Sequence, residues 1–131
     1  NGMPHFHIEY SANLEGVADM SALCEVIRST ASEIEIFPTP GIRVRATRVD
    51  HVAIADGDSK HGFIDLSIRL REGRPDNAKK DAVDRVFQAL KNFMTSAMEM
   101  HSIAISAEIR DIDAALSPKF GNVRDHMKDK A

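Results

Sequence analysis

A strand–helix–strand pattern that occurs twice is the feature that most constrains the fold of this 131-residue chain. In the first copy, apolar residues alternate with polar ones over residues 4–10, recur at three- and four-residue steps over 20–34, and alternate again over 42–46. Apolar residues at every second position are typical of a half-buried strand, and apolar residues at three- and four-residue steps are typical of an amphipathic helix. Asp19 suits the N-cap of this helix, and Pro38 is expected to end it.

The second copy has the same order of elements. Apolar residues alternate over 64–70, form a broad helical stripe over 82–97, and alternate again over 103–109. Pro75 and Asp76 suit the start of the second helix. Corresponding elements lie about 60 residues apart, so the sequence predicts an internal repeat of one β-α-β unit.

A crossover helix between two strands of a sheet requires those strands to run parallel. The two units, residues 4–50 and 62–112, can then join edge to edge. The predicted fold class is therefore α/β (α+β), with two β-α-β units that form one four-stranded sheet and place two helices on one of its faces.

The other face of such a sheet has no helix to cover it. Its residues, such as Ala104 and Ser106, are small or mixed in character. An uncovered sheet face is costly unless a partner packs on it, so we expect a homo-oligomer. The segment between Val49 and His61 is predicted to hold a short extra strand or hairpin. The tail from Leu116 onward is expected to run over the surface or over a neighbouring subunit.

Composition fits one globular domain over residues 4–131, with 43% hydrophobic and 28% charged residues. The formal net charge of −3 gives no reason to expect binding to nucleic acid or to an anionic membrane. Cys24 is the single cysteine, so no disulfide can form within the chain. No apolar run approaches the ~20 residues of a membrane span, and no basic-then-apolar leader opens the sequence. We therefore expect a cytoplasmic protein.

The first residues of the chain are unusual. Asn1-Gly2 ahead of Met3 resembles the remnant of a cleaved expression tag, which would make Met3 the natural start and Pro4 the first residue after loss of the methionine. Pro4 then has two interpretations. It can simply begin a strand, where its missing N–H is harmless. Alternatively, its free secondary amine can act as a general base near neutral pH, because nearby cations and burial lower the pKa of an α-amino group.

Six arginines lie near the predicted strand ends. Arg43 and Arg45 share one face of the second strand, and Arg48 follows them. Arg69, Arg71 and Arg74 cluster at the end of the third strand. These side chains can be solvated, and Arg69 and Arg71 are the ones we expect at the surface. Alternatively they form a pocket for carboxylates, because arginine binds carboxylates in a fork and stabilises charge on an enolate. Arg74 suits that role best within its cluster, since it stands in a turn before a helix.

Other chemistry-bearing residues give no pattern that is typical of a cofactor or metal site. His5 and His7 share a strand face, but no third ligand lies at a diagnostic spacing, so no metal site is predicted. Cys24 is expected to be buried and inert. The chain has no Gly-rich phosphate loop and no nucleophile elbow, so no cofactor is predicted.

Several stretches resemble one known family. They are Met3-Pro4-His5-Phe6, Glu9-Tyr10-Ser11-Ala12-Asn13-Leu14, Ala18-Asp19, Gly41-Ile42-Arg43-Val44-Arg45-Ala46, Ile54-Ala55-Asp56-Gly57, Gly73-Arg74 and Glu108-Ile109. At these spacings the chain resembles the 5-carboxymethyl-2-hydroxymuconate isomerase family of the tautomerase superfamily. The segment from Phe120 to Asn122 and the loop from Asp58 to Gly62 depart from that family's pattern.

The resemblance implies a tautomerase-like fold, a homotrimer, and a cofactor-free proton shift on a small polycarboxylate in the breakdown of homoprotocatechuate. It matches Pro4 to the catalytic proline and Arg43 to the strand arginine that binds the substrate carboxylate. Arg45 is expected to assist. Glu72-Gly73-Arg74 resembles the Glu-Gly-Arg of 4-oxalocrotonate tautomerase, where the arginine serves the substrate.

Two other functions remain open from the sequence. The same scaffold can serve a non-enzymatic oligomeric binding protein, because a fold does not fix a function. A ferredoxin-like sensor of small ligands shares the β-α-β repeat but gives no reason for a proline directly after Met3. An isomerase requires Arg43 and Arg74 near the Pro4 nitrogen, whereas a binding protein does not. With Met3 attached, that nitrogen is an amide without basicity, so we expect the full chain to be inactive.

Overall fold

The computed structural model describes residues 3–128, so the predicted tag remnant, Asn1-Gly2, lies outside the described residues. The strands and helices, in chain order, are β1 (His5–Ser11), α1 (Met20–Ser32), β2 (Arg43–Val49), β3 (His61–Arg71), α2 (Asp76–Met100) and β4 (Ser102–Ile112). Short 3-10 turns follow β1, precede β2 and occur twice after β4. Within the described part of the chain, no helix combines the length and apolarity that a membrane crossing needs.

The strands form one four-stranded sheet in the order β2-β1-β3-β4. The two strands of each unit are parallel, with His5 opposite Arg43 and His61 opposite Ser102. The units meet between β1 and β3, which run antiparallel and place His5 opposite Arg69. The predicted sheet of two β-α-β units is therefore confirmed.

Both helices cover the same face of this sheet. The Asp19 carboxylate accepts a hydrogen bond from the Ala22 N–H at 3.0 Å, so the predicted N-cap of α1 is confirmed. The buried core consists of one apolar stripe from each helix and alternate residues of β1 and β3. Its fully enclosed members include Phe6, Ile8, Leu23, Ile27, Leu66, Ile68, Val86, Leu90 and Met94. The opposite sheet face is left open, as the sequence predicted.

The prediction of an extra strand or hairpin between Val49 and His61 is wrong. Residues 50–60 form bends and turns without a strand. The carboxylates of Asp56 and Asp58 accept hydrogen bonds from the N–H groups of Asp58 and Lys60, at 3.1 and 2.9 Å. Such side-chain bonds satisfy the backbone locally and compete with a strand ladder. Gly57, with φ +90°, adds a left-handed residue that favours the turn.

The Ser11 side chain links the end of β1 to the start of β3 by hydrogen bonds. Its side chain is fully buried, accepts a hydrogen bond from the Phe63 N–H at 3.0 Å and donates one to Asn13 Oδ1 at 2.7 Å. The Asn13 amide in turn donates to the carbonyl of His61 at 2.8 Å. A β-carbon on Gly62 would lie 3.0 Å from atoms of both polar side chains, so the network needs a glycine there.

Replacing Ser11 by alanine should lower the free energy of unfolding by about 1–3 kcal/mol, because the part-buried Phe63 N–H would lose its acceptor. Urea unfolding followed by circular dichroism measures this loss. Ser96→Ala, on the exposed side of α2, is the control and should leave the midpoint unchanged or slightly raised. Equal midpoints for Ser11→Ala and the unchanged protein would show that the network carries no stability.

Candidate active site

The strand register brings four strand ends together at one edge of the sheet. The amino ends of β1 and β2 meet the carboxyl ends of β3 and β4 there, because β1 is parallel to β2 and antiparallel to β3. Pro4 directly precedes β1, Arg43 begins β2, and Arg71 ends β3. Three residues that are far apart in sequence therefore share one end of the molecule.

Pro4 is buried at this edge and packs against the turn that leads into β2. The Arg43 N–H donates to the Pro4 carbonyl at 3.3 Å. A β-carbon on Gly41 would lie 3.0 Å from Cδ of Pro4, the ring carbon bonded to the nitrogen. Gly41 itself is held by a hydrogen bond of 3.0 Å from its N–H to the Pro38 carbonyl. The backbone of this turn thus forms a wall beside the proline ring.

A cavity of about 360 Å³ opens beside Met3 and this turn. Arg43 and Gly41 line one side, and Phe120 and Arg124 of the C-terminal segment line the other. A larger cleft of about 620 Å³ lies around Tyr10 at the opposite end of β1 and contains none of the predicted arginines. The smaller cavity is therefore the candidate active site.

A second, much smaller cavity adjoins the first at the same edge. It holds about 20 Å³, little more than one water molecule needs, and Arg71, Ile112 and Ser117 contribute to its lining. Met3 and Lys119 line both cavities. Met3 therefore stands between the two spaces.

Arg45 lies on the open sheet face and not in the lining of either cavity. Its Nη1 donates to Nδ1 of His5 at 3.3 Å. Partial burial, and then the charges of Arg69, Arg43 and Arg45, lower the pKa of His5 to about 4. His5 is therefore uncharged at neutral pH and can accept this hydrogen bond.

His7, the second histidine on this face, contacts a side chain of β2. Its Nε2 lies 2.9 Å from Oγ1 of Thr47. Each of the two histidines that share this strand face therefore has a hydrogen-bond partner on the neighbouring strand.

Arg74 lies at the same end of the sheet, in the turn between β3 and α2. Its Nη1 donates to the carbonyl of Arg71 at 3.1 Å, and it does not line either cavity. Of the residues singled out from the sequence, Arg43 thus lines the cavity, and Pro4 contacts the Arg43 backbone and the Gly41 turn beside it. Arg45 and Arg74 lie nearby and contact His5 and the Arg71 backbone instead.

Sequence reasoning did not single out Gly41 or the C-terminal residues Lys119 and Arg124 as part of this site. Gly41 carries a usable signal, because a Pro-Gly pair shortly before a strand marks a tight turn at the strand entrance. The C-terminal residues carry none, since nothing in the local pattern shows where a non-repetitive tail returns to the fold.

A family model and a curated relative both match nearly the whole chain and point to the same family. The family model described as 5-carboxymethyl-2-hydroxymuconate isomerase matches residues 4–127. A 5-carboxymethyl-2-hydroxymuconate Delta-isomerase from Escherichia coli is 31% identical over 121 residues, which cover 92% of this chain and 96% of that protein.

Solved structures agree with the family match. A 5-carboxymethyl-2-hydroxymuconate isomerase from Deinococcus radiodurans R1 superposes with a TM-score of 0.88 at 28% identity, covering 95% of this chain and 94% of that one. A fused 4-OT protein, described as a symmetric trimer, has a TM-score of 0.60 at 14% identity and covers 83% of this chain and 85% of its own. At 14% identity, the similarity to the fused 4-OT protein concerns the fold alone. Together the two superpositions confirm the predicted tautomerase-like fold.

Proposed function

Because the chain belongs to the 5-carboxymethyl-2-hydroxymuconate isomerase family, we propose that Pro4, freed as an amino-terminal residue, is the acid/base of its isomerase reaction. The substrate is 5-carboxymethyl-2-hydroxymuconate or a similar unsaturated hydroxy-carboxylate, which a proton shift converts into its conjugated keto isomer. The observation that carries the proposal is the contact of Pro4 with Arg43, whose N–H donates to the Pro4 carbonyl and which lines the candidate cavity.

Each step of the reaction has a residue to perform it. The free secondary amine of Pro4 takes the proton from the enol hydroxyl or an adjacent carbon and returns it elsewhere on the conjugated system. Arg43 binds a carboxylate and stabilises the negative charge that develops on the oxygen. Arg43 and the surrounding burial also keep the amine neutral, since both disfavour the ammonium form. Arg45 and Arg74 lie near the cavity without lining it, so their proposed contribution is the attraction of the polyanion through their positive charge. The proposed reaction needs no cofactor.

We also propose a homotrimer as the working form of this enzyme, with residues 4–131 as one domain. The open sheet face and the trimeric state of the fused 4-OT protein support this assembly. We further propose that the enzyme acts in the cytoplasm, in the breakdown of homoprotocatechuate, an aromatic compound.

The decisive experiment compares two forms of the protein. A chain that begins at Pro4 should isomerise a 2-hydroxymuconate analogue, followed by ultraviolet absorbance, whereas the 131-residue chain should show no turnover above background. The reason is that an amide nitrogen has no basic lone pair, while a free secondary amine does. Mass spectrometry must verify the free Pro4 in the first form. Equal rates for both forms would rule out proline catalysis.

A further inference from the structure

We propose that Arg71 binds a second carboxylate of the substrate, in a groove that forms when Met3 leaves and its two neighbouring cavities join. This inference rests on the proposed function, because it assumes that Pro4 becomes the first residue. It adds a binding residue on the side of Pro4 opposite to Arg43.

Met3 occupies the space that would connect the two cavities. It lines the 360 Å³ cavity beside Arg43 and also the 20 Å³ cavity beside Arg71. A β-carbon placed on Gly41 would lie 3.4 Å from both the backbone nitrogen and Cα of Met3. The Met3 backbone therefore fills the position directly in front of the Pro4 nitrogen. Loss of Met3 exposes that nitrogen and opens a path from Arg43 to Arg71 in one step.

Met3 is also an unfavourable residue in its place. Its φ of 43° lies in the left-handed region, which costs a residue with a side chain free energy. The backbone conformation of a residue before proline is also restricted sterically, which adds to the cost of this conformation at Met3. Pro4 itself contacts the Arg43 N–H and the Gly41 turn, and neither contact involves Met3, so both can persist when Met3 leaves and the groove opens.

Arg71 is available to a ligand at the far end of this groove. It is the last residue of β3, pairs with Ile112 of β4 and is exposed. Among residues 3–128, no carboxylate lies within ion-pair distance of its guanidinium. The Arg74 side chain donates to the Arg71 carbonyl at 3.1 Å and so fixes the backbone from which the Arg71 side chain projects. An unpaired guanidinium on a fixed backbone is suited to bind a carboxylate.

Glu72 fixes the wall opposite Arg71. Its N–H donates to the Ile112 carbonyl at 3.0 Å, and its carboxylate accepts from the Ala114 N–H at 2.7 Å. The Ser117 hydroxyl donates to the Asp113 carbonyl at 2.6 Å and closes the following turn. The start of the C-terminal segment is thus held in place, and the groove near Arg71 is a built part of the fold.

The spacing of the two arginines suits a linear dianion. Arg43 and Arg71 lie on β2 and β3, the strands on either side of β1, so about two strand spacings, or ~10 Å, separate their backbones. Pro4 precedes the strand between them. A conjugated chain of several carbons with a carboxylate at each end can therefore contact both arginines while its middle faces the proline nitrogen.

The test uses chains that begin at Pro4 and two substrates that differ in one group. These are 2-hydroxymuconate, with a carboxylate at each end, and 2-hydroxypenta-2,4-dienoate, which lacks the distal carboxylate. Arg71→Ala should raise KM for the first compound about 10- to 50-fold with little change in kcat, and leave KM for the second unchanged. Arg71→Lys should restore part of the loss, because it keeps the charge but not the fork.

Arg85→Ala is the matched control, because Arg85 is an exposed arginine on α2 that pairs with Asp81. It should leave both KM values unchanged. Calorimetric titration with adipate, a flexible dicarboxylate, gives a readout that does not depend on turnover. Adipate should bind the chain that begins at Pro4 at least tenfold more tightly than the 131-residue chain, and Arg71→Ala should remove most of that gain.

The outcomes separate the two proposals. Equal changes of KM for both substrates, or the same adipate affinity with and without Arg71, would overturn the role of Arg71 and leave proline catalysis standing. If the chain that begins at Pro4 turns over neither substrate, the proposed acid/base role fails. The adipate titration then still decides whether Arg71 binds a carboxylate.

Discussion

Alanine in place of Pro4, in a chain that begins at that residue, should lower kcat for a 2-hydroxymuconate analogue by about 10²-fold. Alanine keeps a free amine, so the expected loss comes from geometry. The proline ring packs against the Gly41 turn, which fixes the direction of the nitrogen lone pair, whereas the amine of alanine can rotate. A displacement of about 1 Å in a reacting group is enough for a loss of this size.

Stopped-flow or steady-state absorbance assays measure this effect, with the first residue of each protein verified by mass spectrometry. Thermal unfolding must show that the variant folds normally. The pH profile gives a second readout, since the rising limb of kcat/KM reports the free amine and should move when a primary amine replaces a secondary one. Full activity with an unshifted profile would exclude Pro4 as the base.

Replacing Arg43 by alanine should lower kcat/KM by about 10²- to 10³-fold, because the variant loses both a carboxylate contact and the charge that stabilises the developing enolate. Arg43 also approaches Pro4 through its backbone, with its N–H 3.3 Å from the Pro4 carbonyl. That contact does not need the side chain, so the strand should stay in place. The fall in activity should therefore occur without a comparable change in the melting temperature.

Arg48→Ala is the matched control for this prediction. Arg48 lies on the same strand as Arg43, but near the other end, where its side chain pairs with Asp50 at 2.8 Å and Glu15 at 3.6 Å. Its removal should leave kcat/KM within about twofold of the unchanged enzyme, since exposed ion pairs contribute little. If Arg48→Ala and Arg43→Ala lost the same activity, the loss would reflect general charge and not a contact at the site.

The strands and helices could be predicted because the pattern that marks each of them lies within its own short stretch of sequence. Alternation over 4–10 and 64–70 placed β1 and β3, and Asp19 marked the start of α1 correctly. The same reasoning failed between Val49 and His61. Apolar residues in that segment favour a strand. The carboxylates of Asp56 and Asp58 instead accept hydrogen bonds from nearby backbone N–H groups, which stabilises turns. Such bonds do not appear as a periodic pattern of apolar residues in the sequence.

The site was predictable only in part, for a related reason. Arg43 and Arg45 look equivalent in sequence, because alternation puts them on one strand face. Position along the strand separates them: Arg43 begins β2 at the sheet edge and lines the cavity, while Arg45 lies two residues further in and contacts His5. Strand bounds are the least certain part of a sequence-based prediction. The C-terminal wall of the cavity depends on contacts between residues far apart in sequence and could not be foreseen.

Glycine is favoured at positions 41 and 57 for different physical reasons. Gly57 has φ +90°, and a β-carbon there would meet no atom within 4 Å, so its constraint is conformational and asparagine would relieve most of it. Gly41 lacks such a torsion, and its constraint is the volume next to the proline ring. A side chain there fits only if the proline ring moves by a few tenths of an ångström. A substitution at position 41 should therefore change the orientation of Pro4, whereas one at position 57 should affect only its own loop.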